Sequence, residues 1–186
     1  LNDGDDIEYE IKEGQGTMAY STETPINTFV DLCLNKSYIN HAKEGINTNV
    51  PVGYVDAYYE FSERPNITEA CEVILTNCYP FWEGCDIDYS LIYMKQMYYH
   101  ARDVGNGKRV IITETGWPSK GTNYEGSFPS EKNFLKYFLN TQRWSIQDNI
   151  EIFYFSSFDE SWKIDSEGDV GAFWGVWDDK LISKFI

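Results

Sequence analysis

The sequence lacks features that several common classes of protein need. It carries 15 lysines and arginines against 30 aspartates and glutamates, a formal net charge of −15 at pH 7. Nucleic acids are held by cationic surfaces, so this charge excludes them as partners. No apolar run approaches the ~20 residues of a transmembrane helix. No membrane span is therefore predicted, and a sequence without a signal peptide is what a mature chain would show.

Signatures of metals and cofactors are also scarce. The two histidines are His41 and His100, and the four cysteines include no CxxC pair. This spacing does not fit a zinc site. No glycine-rich loop of the kind that cradles phosphate is present. We therefore predict neither a metal nor a cofactor.

The cysteines and two Asn-x-Ser/Thr triplets bear on the compartment. Cys78 and Cys85 bracket a Tyr-Pro-Phe-Trp loop that a disulfide would stiffen, but with four cysteines the pairing stays open. The triplets at 35–37 and 66–68 are acceptors for N-glycosylation. The combination indicates a secreted or cell-wall glycoprotein with disulfides.

The most informative stretch covers residues 109–119, where a β-branched run leads into a Gly-Trp-Pro turn. The run at 110–112 is typical of a strand that is buried on both faces in a parallel sheet, and Gly116 and Pro118 end it. Glu114 therefore lies at the carboxyl end of a strand. In barrels of alternating strands and helices, catalytic groups lie at that end.

Four blocks of the sequence resemble glycoside hydrolase family 17, the β-1,3-glucan hydrolases and transglycosylases of plant and fungal cell walls. ETGWPS at 114–119 resembles the family's nucleophile signature. VPVGYVD at 50–56 resembles the fifth barrel strand, and NCYPFWEGC at 77–85 resembles the end of the sixth. FDESWK at 158–163 resembles the eighth strand and its substrate loop, with Ser161 where a proline is usual. The resemblance covers residues 38–180.

The resemblance implies an α/β fold of the (β/α) TIM-barrel type, partial or shortened. Such a barrel typically needs about 250 residues, whereas this chain has 186. At ~30 residues per strand-helix unit, the chain has room for the equivalents of strands 4–8. We predict an acidic tail at 1–16 and a partial barrel domain at 17–186. Within it we expect strands at 50–56, 71–78, 109–114 and 150–157.

Helices are expected between these strands. Residues 25–43 form a loose helical pattern with Ile39 among its core contacts. Apolar residues recur at helical spacing from Ile87 to Ala101, through Met94 and Tyr98. Ser130 is a plausible N-cap for a further helix whose apolar side chains would be Phe134, Leu135 and Phe138.

A retaining glycosidase uses one carboxylate as nucleophile and a second carboxyl as acid, about 5–5.5 Å apart. The resemblance implies that Glu114 is the nucleophile. Family members carry the acid in an Asn-Glu pair at the end of the fourth strand, and Glu23 lies at a compatible distance, although Thr22 replaces the Asn. Glu23 is our candidate acid/base. A chain without an acid would bind glucan and cleave it slowly, unless a partner chain supplied the acid.

Further residues are expected to bind the substrate. The resemblance implies a Tyr79 hydroxyl near the nucleophile and a charged trio, Glu160, Lys163 and Glu167, although a surface ion-pair cluster would look similar. Aromatic rings suit the apolar faces of sugars. The aromatic candidates are Phe81, Trp82, Trp117, Phe158, Trp162 and Trp174. We expect Trp82 and Trp162 to be more exposed than Trp117, which can instead brace the turn.

The predicted function is retaining hydrolysis or transglycosylation of β-1,3-glucan through a covalent glycosyl-enzyme intermediate. Two alternatives stay open. One is a non-catalytic glucan-binding or wall-structural protein. The other is a homo-oligomer in which two incomplete barrels cover each other's open sheet edges.

Overall fold

The computed structural model describes residues 36–46 and 49–184. The predicted acidic tail and Glu23 lie outside the described residues, as does the first part of the helix predicted at 25–43. The division into a tail and a barrel domain therefore stays a prediction.

Four strands form one sheet in chain order, and each pairs in parallel with the next. They are β1 (Gly53–Ala57), β2 (Val73–Asn77), β3 (Arg109–Thr115) and β4 (Ile152–Tyr154). The four predicted strands are confirmed. Parallel strands that follow one another in chain order, with helical connections, are the pattern of a (β/α) barrel, and the described sheet is part of such a barrel.

The helices lie between and after the strands. Residues 36–45 are helical (α1). The others are α2 (Glu60–Glu63), α3 (Pro65–Ala70), α4 (Ser90–Val104), α5 (Glu131–Asp148) and α6 (Ile164–Glu167). Two 3₁₀ turns, Ser161–Lys163 and Asp169–Phe173, flank α6.

The two long helices form where the sequence pattern placed them. In α4, Met94, Tyr98 and Ala101 are buried, whereas Ile87 precedes the helix and is only partly buried. The Ser130 hydroxyl accepts a hydrogen bond from the Asn133 amide, so the predicted N-cap of α5 is confirmed.

In α5 the buried face differs from the predicted one. It comprises Phe134, Tyr137, Thr141 and Trp144, while Leu135 is only partly buried. These four positions lie three or four residues apart and form one helical stripe. Tyr137, not Leu135, therefore supplies the next core contact after Phe134.

The two faces of the sheet are covered unequally. Ile74 and Ile112, on the helix side, are fully buried in the core with Met94. Successive strand side chains point to opposite faces, and on the other face Val55 is 45% and Phe153 65% exposed. The expectation of a strand buried on both faces is therefore wrong for Ile111, which is partly exposed, because the four described strands leave that face uncovered.

The cysteines are not bridged among the described residues. Cys71, Cys78 and Cys85 are free, and Cys33 lies outside the described residues. The disulfide considered between Cys78 and Cys85 is absent. The Cys78 thiol is buried beside Thr76, and the Cys85 thiol donates a hydrogen bond to the Asp86 carbonyl. Backbone hydrogen bonds hold the loop instead, from Gly84 to Phe81 and from Cys85 to Pro80.

Candidate active site

Glu114 is the second-last residue of β3. It is opposite Asn77 of β2, just past a register shift between Thr76 and Asn77, and its carbonyl accepts from the Cys78 amide at 2.9 Å. A Cβ on Gly116 would come 2.1 Å from the Phe155 carbonyl oxygen. Only glycine fits there, so the chain turns sharply after Glu114 and leaves its carboxylate at the carboxyl edge of the sheet.

Tyr79 follows β2 and contacts this carboxylate. Its hydroxyl donates to Glu114 Oε2 at 3.0 Å. Burial raises the pKa of Tyr79 far above its ordinary value, and the charge of Glu114 raises it further. The phenol therefore keeps its proton and stays a donor to the carboxylate.

The pair opens into a cavity of about 420 Å³. Its walls are Tyr79, Trp82, Glu114, Phe155, Ser166, Glu167 and Trp174. Five of these seven were site candidates in the sequence. Phe155 follows β4, so its place at a strand end was a signal that could have found it, whereas nothing in the sequence marks Ser166.

The charged trio is partly buried and is not a surface cluster. Lys163 Nζ lies 2.8 Å from Glu160 Oε2, and the lysine side chain is 11% exposed. The ammonium also lies 3.9 Å from the centre of the Phe155 ring. Burial raises the pKa of Glu167, Lys163 opposes this, and the charges of Glu160 and Glu114 add to it. Three carboxylates, Glu114, Glu160 and Glu167, thus share this part of the site with one ammonium, that of Lys163.

The aromatic candidates divide by exposure. Trp82 is 36% and Trp162 68% exposed, whereas Trp117 is fully buried, so the expected order of exposure is confirmed. Trp82 lines the cavity. The centre of the Trp162 ring lies 5.2 Å from Lys163 Nζ, and Trp162 does not line the cavity.

Two of the substrate-binding candidates are core residues. Trp117 Nε1 donates to the Phe128 carbonyl, and its ring packs against Phe81 and Tyr137. Phe81 is also fully buried. Both rings brace the loops after β2 and β3 and leave no surface for a ligand.

The last two aromatic candidates have different surroundings. Phe158 is 48% exposed and packs against Trp177, outside the cavity. Trp174 is 2% exposed, lines the cavity, and its indole nitrogen has no hydrogen-bond partner among the described residues. A buried donor without a partner is costly, so a ligand hydroxyl would suit it.

A buried ion pair that was not predicted joins the loops around the site. Lys184 Nζ donates to Asp159 Oδ1 at 2.6 Å and to Ser119 Oγ at 2.8 Å. The same carboxylate oxygen accepts from the Gly175 amide. Both charged side chains are 10% exposed. This Lys184 cluster ties the turn after β3 to the chain on either side of Trp174.

Two features are absent from the described part of the chain. Within residues 36–46 and 49–184, no three His, Cys, Asp or Glu side chains are placed to hold a metal ion. In the same residues, no helix is both long and apolar enough to cross a membrane.

A family model described as the BtgE/BtgC glycoside hydrolase domain matches residues 26–175. The chain belongs to this family of glycoside hydrolases. A glucan 1,3-β-glucosidase of Candida albicans is 29% identical over 153 residues, which cover 74% of this chain and 48% of the relative. The cell surface mannoprotein MP65 of the same yeast is 23% identical over 178 residues, 93% of this chain and 44% of the relative.

Solved structures support the same family. The glycoside hydrolase family 17 β-1,3-glucanosyltransferase of Rhizomucor miehei is 32% identical with a TM-score of 0.74. Its active-site mutant in complex with laminaritriose gives a TM-score of 0.76, covering 82% of this chain and 56% of that one. The resemblance to family 17 is thereby confirmed. The chain spans about half the length of the curated relatives it matches.

Proposed function

We propose that this chain acts on β-1,3-glucan as a retaining glycoside hydrolase or transglycosylase with Glu114 as the nucleophile. The observation that carries the proposal is the Tyr79–Glu114 hydrogen bond at the wall of an open cavity. A carboxylate at a strand's carboxyl end in a (β/α) barrel is in a catalytic position. The named activities of the yeast glucosidase and the Rhizomucor enzyme support the choice of substrate.

The chemistry follows from the position of the carboxylate. A Glu114 oxygen attacks the anomeric carbon as the glycosidic bond to the leaving oxygen breaks, giving a glycosyl ester. Tyr79 holds the carboxylate in place through its hydroxyl. Water or the hydroxyl of another glucan end then attacks the same carbon and releases Glu114. Hydrolysis and transglycosylation differ only in this acceptor.

The neighbouring groups take supporting roles in this proposal. The Trp174 indole and the Glu167 carboxyl line the cavity and offer hydrogen bonds to sugar hydroxyls. Lys163 favours the charged form of Glu167, and Glu160, which is paired with Lys163, opposes it. Trp82 and Trp162 offer exposed ring faces. Glu23 stays the proposed acid that protonates the leaving oxygen.

Covalent trapping tests the nucleophile in this chain by itself. The reagent is a 2-deoxy-2-fluoro-β-glucoside that carries dinitrophenolate as its leaving group. Dinitrophenolate departs without protonation, so labelling does not depend on the acid. We expect the intact mass to rise by one fluoroglucosyl group and peptide mapping to place it on Glu114. The Glu114→Gln variant is the control that should stay unlabelled. A label on another residue would refute the assignment.

The acid is tested by comparing two substrates. If Glu23 is the acid, Glu23→Gln slows cleavage of linear β-1,3-glucan by ~10²–10⁴-fold. The same variant leaves the initial burst of dinitrophenolate from an activated glucoside nearly unchanged, because that burst reports only the first step, in which the leaving group needs no proton. Equal loss on both substrates, or no loss on either, would remove Glu23 from this role.

The same assays separate catalysis from simple binding. Oligosaccharides longer than the substrate indicate transglycosylation, and shorter ones alone indicate hydrolysis. Glucan binding without any label would favour the alternative of a non-catalytic wall protein.

We also propose a secreted or cell-wall location. The similarity to a cell surface mannoprotein supports it. So does Asn66, which is exposed on α3 with Thr68 two residues on. Expression in a yeast host and treatment with an amidase that removes N-glycans should lower the mass of the secreted chain, and Asn66→Gln should reduce that change.

The homo-oligomer stays a prediction. The exposed Val55 and Phe153 on the open sheet face favour a second copy that packs against it. Light scattering of the 186-residue chain should give twice its 21.6 kDa mass, and Phe153→Asp should halve it. A monomeric wild-type mass would reject the oligomer.

A further inference from the structure

We propose that Tyr124 extends the substrate site beyond the cavity, as the outer end of an aromatic ledge that holds a further glucosyl unit of the glucan. The aromatic ledge consists of Trp174, Trp82 and Tyr124. Tyr124 does not line the cavity, and nothing in the sequence marked it as a site residue. The inference rests on the proposed action on β-1,3-glucan.

The three rings contact one another in the order Trp174, Trp82, Tyr124, and only the first two line the cavity that contains Glu114. The centroids of Trp174 and Trp82 are 5.8 Å apart, and those of Trp82 and Tyr124 are 5.5 Å apart. Exposure rises along this path, from 2% at Trp174 through 36% at Trp82 to 41% at Tyr124. Tyr124 meets Trp82 edge to face, at 78°, and is the most exposed of the three rings.

The outer ring stands on a rigid support. Tyr124 and Ser127 exchange two backbone hydrogen bonds, at 3.0 and 2.8 Å, and the Ser127 hydroxyl donates to the Cys85 carbonyl at 2.8 Å. A Cβ on Gly126 would lie 2.6 Å from the Gly84 carbonyl oxygen. The turn at 124–127 is therefore packed against the loop that carries Trp82.

A rigid exposed ring suits a sugar more than a charged or peptide ligand. Pyranose rings have apolar CH faces, and a fixed aromatic ring contacts them with little loss of conformational entropy. The Tyr124 ring is also tilted by 37° to the buried Phe81 ring, at a centroid distance of 6.4 Å. Phe81 and Trp82 therefore hold the phenol ring from two sides, and Tyr124 keeps 41% of its surface exposed.

The dependence of affinity on oligosaccharide length tests the ledge. Calorimetric titration with β-1,3-gluco-oligosaccharides from disaccharide to hexasaccharide is compared for chains that all carry Glu114→Gln to prevent turnover, one otherwise wild type and one with Tyr124→Ala. We expect unchanged affinity for the shortest ligand and a loss of about five- to tenfold for those long enough to reach Tyr124. Tyr124→Phe keeps the ring and should match wild type at every length. Tyr89→Ala, which removes a 67% exposed tyrosine outside the site, should also match.

Three outcomes would overturn the inference. Equal loss at all lengths would mean that Tyr124 only supports the cavity. Unchanged affinity at all lengths would mean that no glucosyl unit contacts it. If wild type bound none of these oligosaccharides, the proposed function would fail together with the ledge, whereas normal wild-type binding with an unaffected Tyr124→Ala variant would reject the ledge alone.

Discussion

Two buried lysine–carboxylate pairs lie within the loops after β4, and they differ in their surroundings. Lys163 and Glu160 are 2.8 Å apart, Lys184 and Asp159 2.6 Å, and each lysine side chain is about one tenth exposed. Asp159 is equally buried, while the Glu160 side chain is 31% exposed.

The difference lies in charge balance. The Lys184 ammonium donates to one carboxylate, Asp159, and to the Ser119 hydroxyl, and the Gly175 amide donates to the same carboxylate. Around Lys163 one ammonium faces several carboxylates, with Glu167 and Glu114 on the cavity wall. The two ion pairs therefore differ in what they adjoin: the Lys184 pair joins loops, and the Lys163 pair lies beside the carboxylates of the candidate active site.

The largest effect on activity is expected at the end of β3, among the carboxylates near Lys163. Glu114→Gln should lower dinitrophenolate release by more than ~10³-fold, because the amide cannot form the glycosyl ester. Thermal unfolding should change little, since no lysine or arginine forms an ion pair with Glu114 in the described structure. Full activity of this variant would show that the carboxylate is not the nucleophile.

The balanced pair should show the opposite behaviour. Lys184→Met leaves Asp159 buried without its cation and should lower the free energy of unfolding by about 3 kcal/mol, as breaking a buried pair does. Dinitrophenolate release per folded molecule should change only a few-fold. Urea denaturation measures the first effect, and Lys184→Arg serves as the charge-retaining control. A stability equal to wild type would contradict the structural role of this pair.

Tyr79→Phe should have a smaller effect, confined to the site. The hydroxyl donates to a carboxylate, and such bonds contribute about 1.5–3 kcal/mol, so turnover should fall roughly ten- to a hundredfold. The phenyl ring keeps its contacts with Trp174 and Phe155. Steady-state rates with the activated glucoside test this, and a loss seen only in KM would assign the hydroxyl to binding.

The smallest effect concerns Glu167 and pH. Its pKa is raised in the folded state, so between the ordinary carboxyl pKa, about 4.3, and the raised value the folded chain holds a proton that the unfolded chain has lost. Stability therefore falls as pH rises through this window. Glu167→Gln should remove this decline and be slightly more stable above it. Denaturation curves across the window should reveal a shallower pH slope, and an unchanged slope would show that Glu167 does not cause it.

Features set by a few adjacent residues were predictable. The strand before Glu114 and the turn after it follow from a β-branched run and from Gly116 and Pro118, and the structure places both where the sequence indicated. The cap at Ser130 is equally local. Errors arose where burial depends on distant segments, as at Ile111 on the open sheet face and at Phe81, whose fully buried ring packs against Trp117 of the turn after β3.

The sequence by itself determined the family, the parallel strands and the position of one carboxylate at a strand end, because each is encoded in short runs of residues. Only the tertiary structure decided which rings open to the cavity, that Cys78 and Cys85 stay unbridged, and that Lys184 reaches Ser119 across 65 positions of the chain. Contacts between distant segments depend on how strands and helices pack. A sequence pattern indicates the local backbone conformation, but it does not indicate which distant residue a side chain will contact.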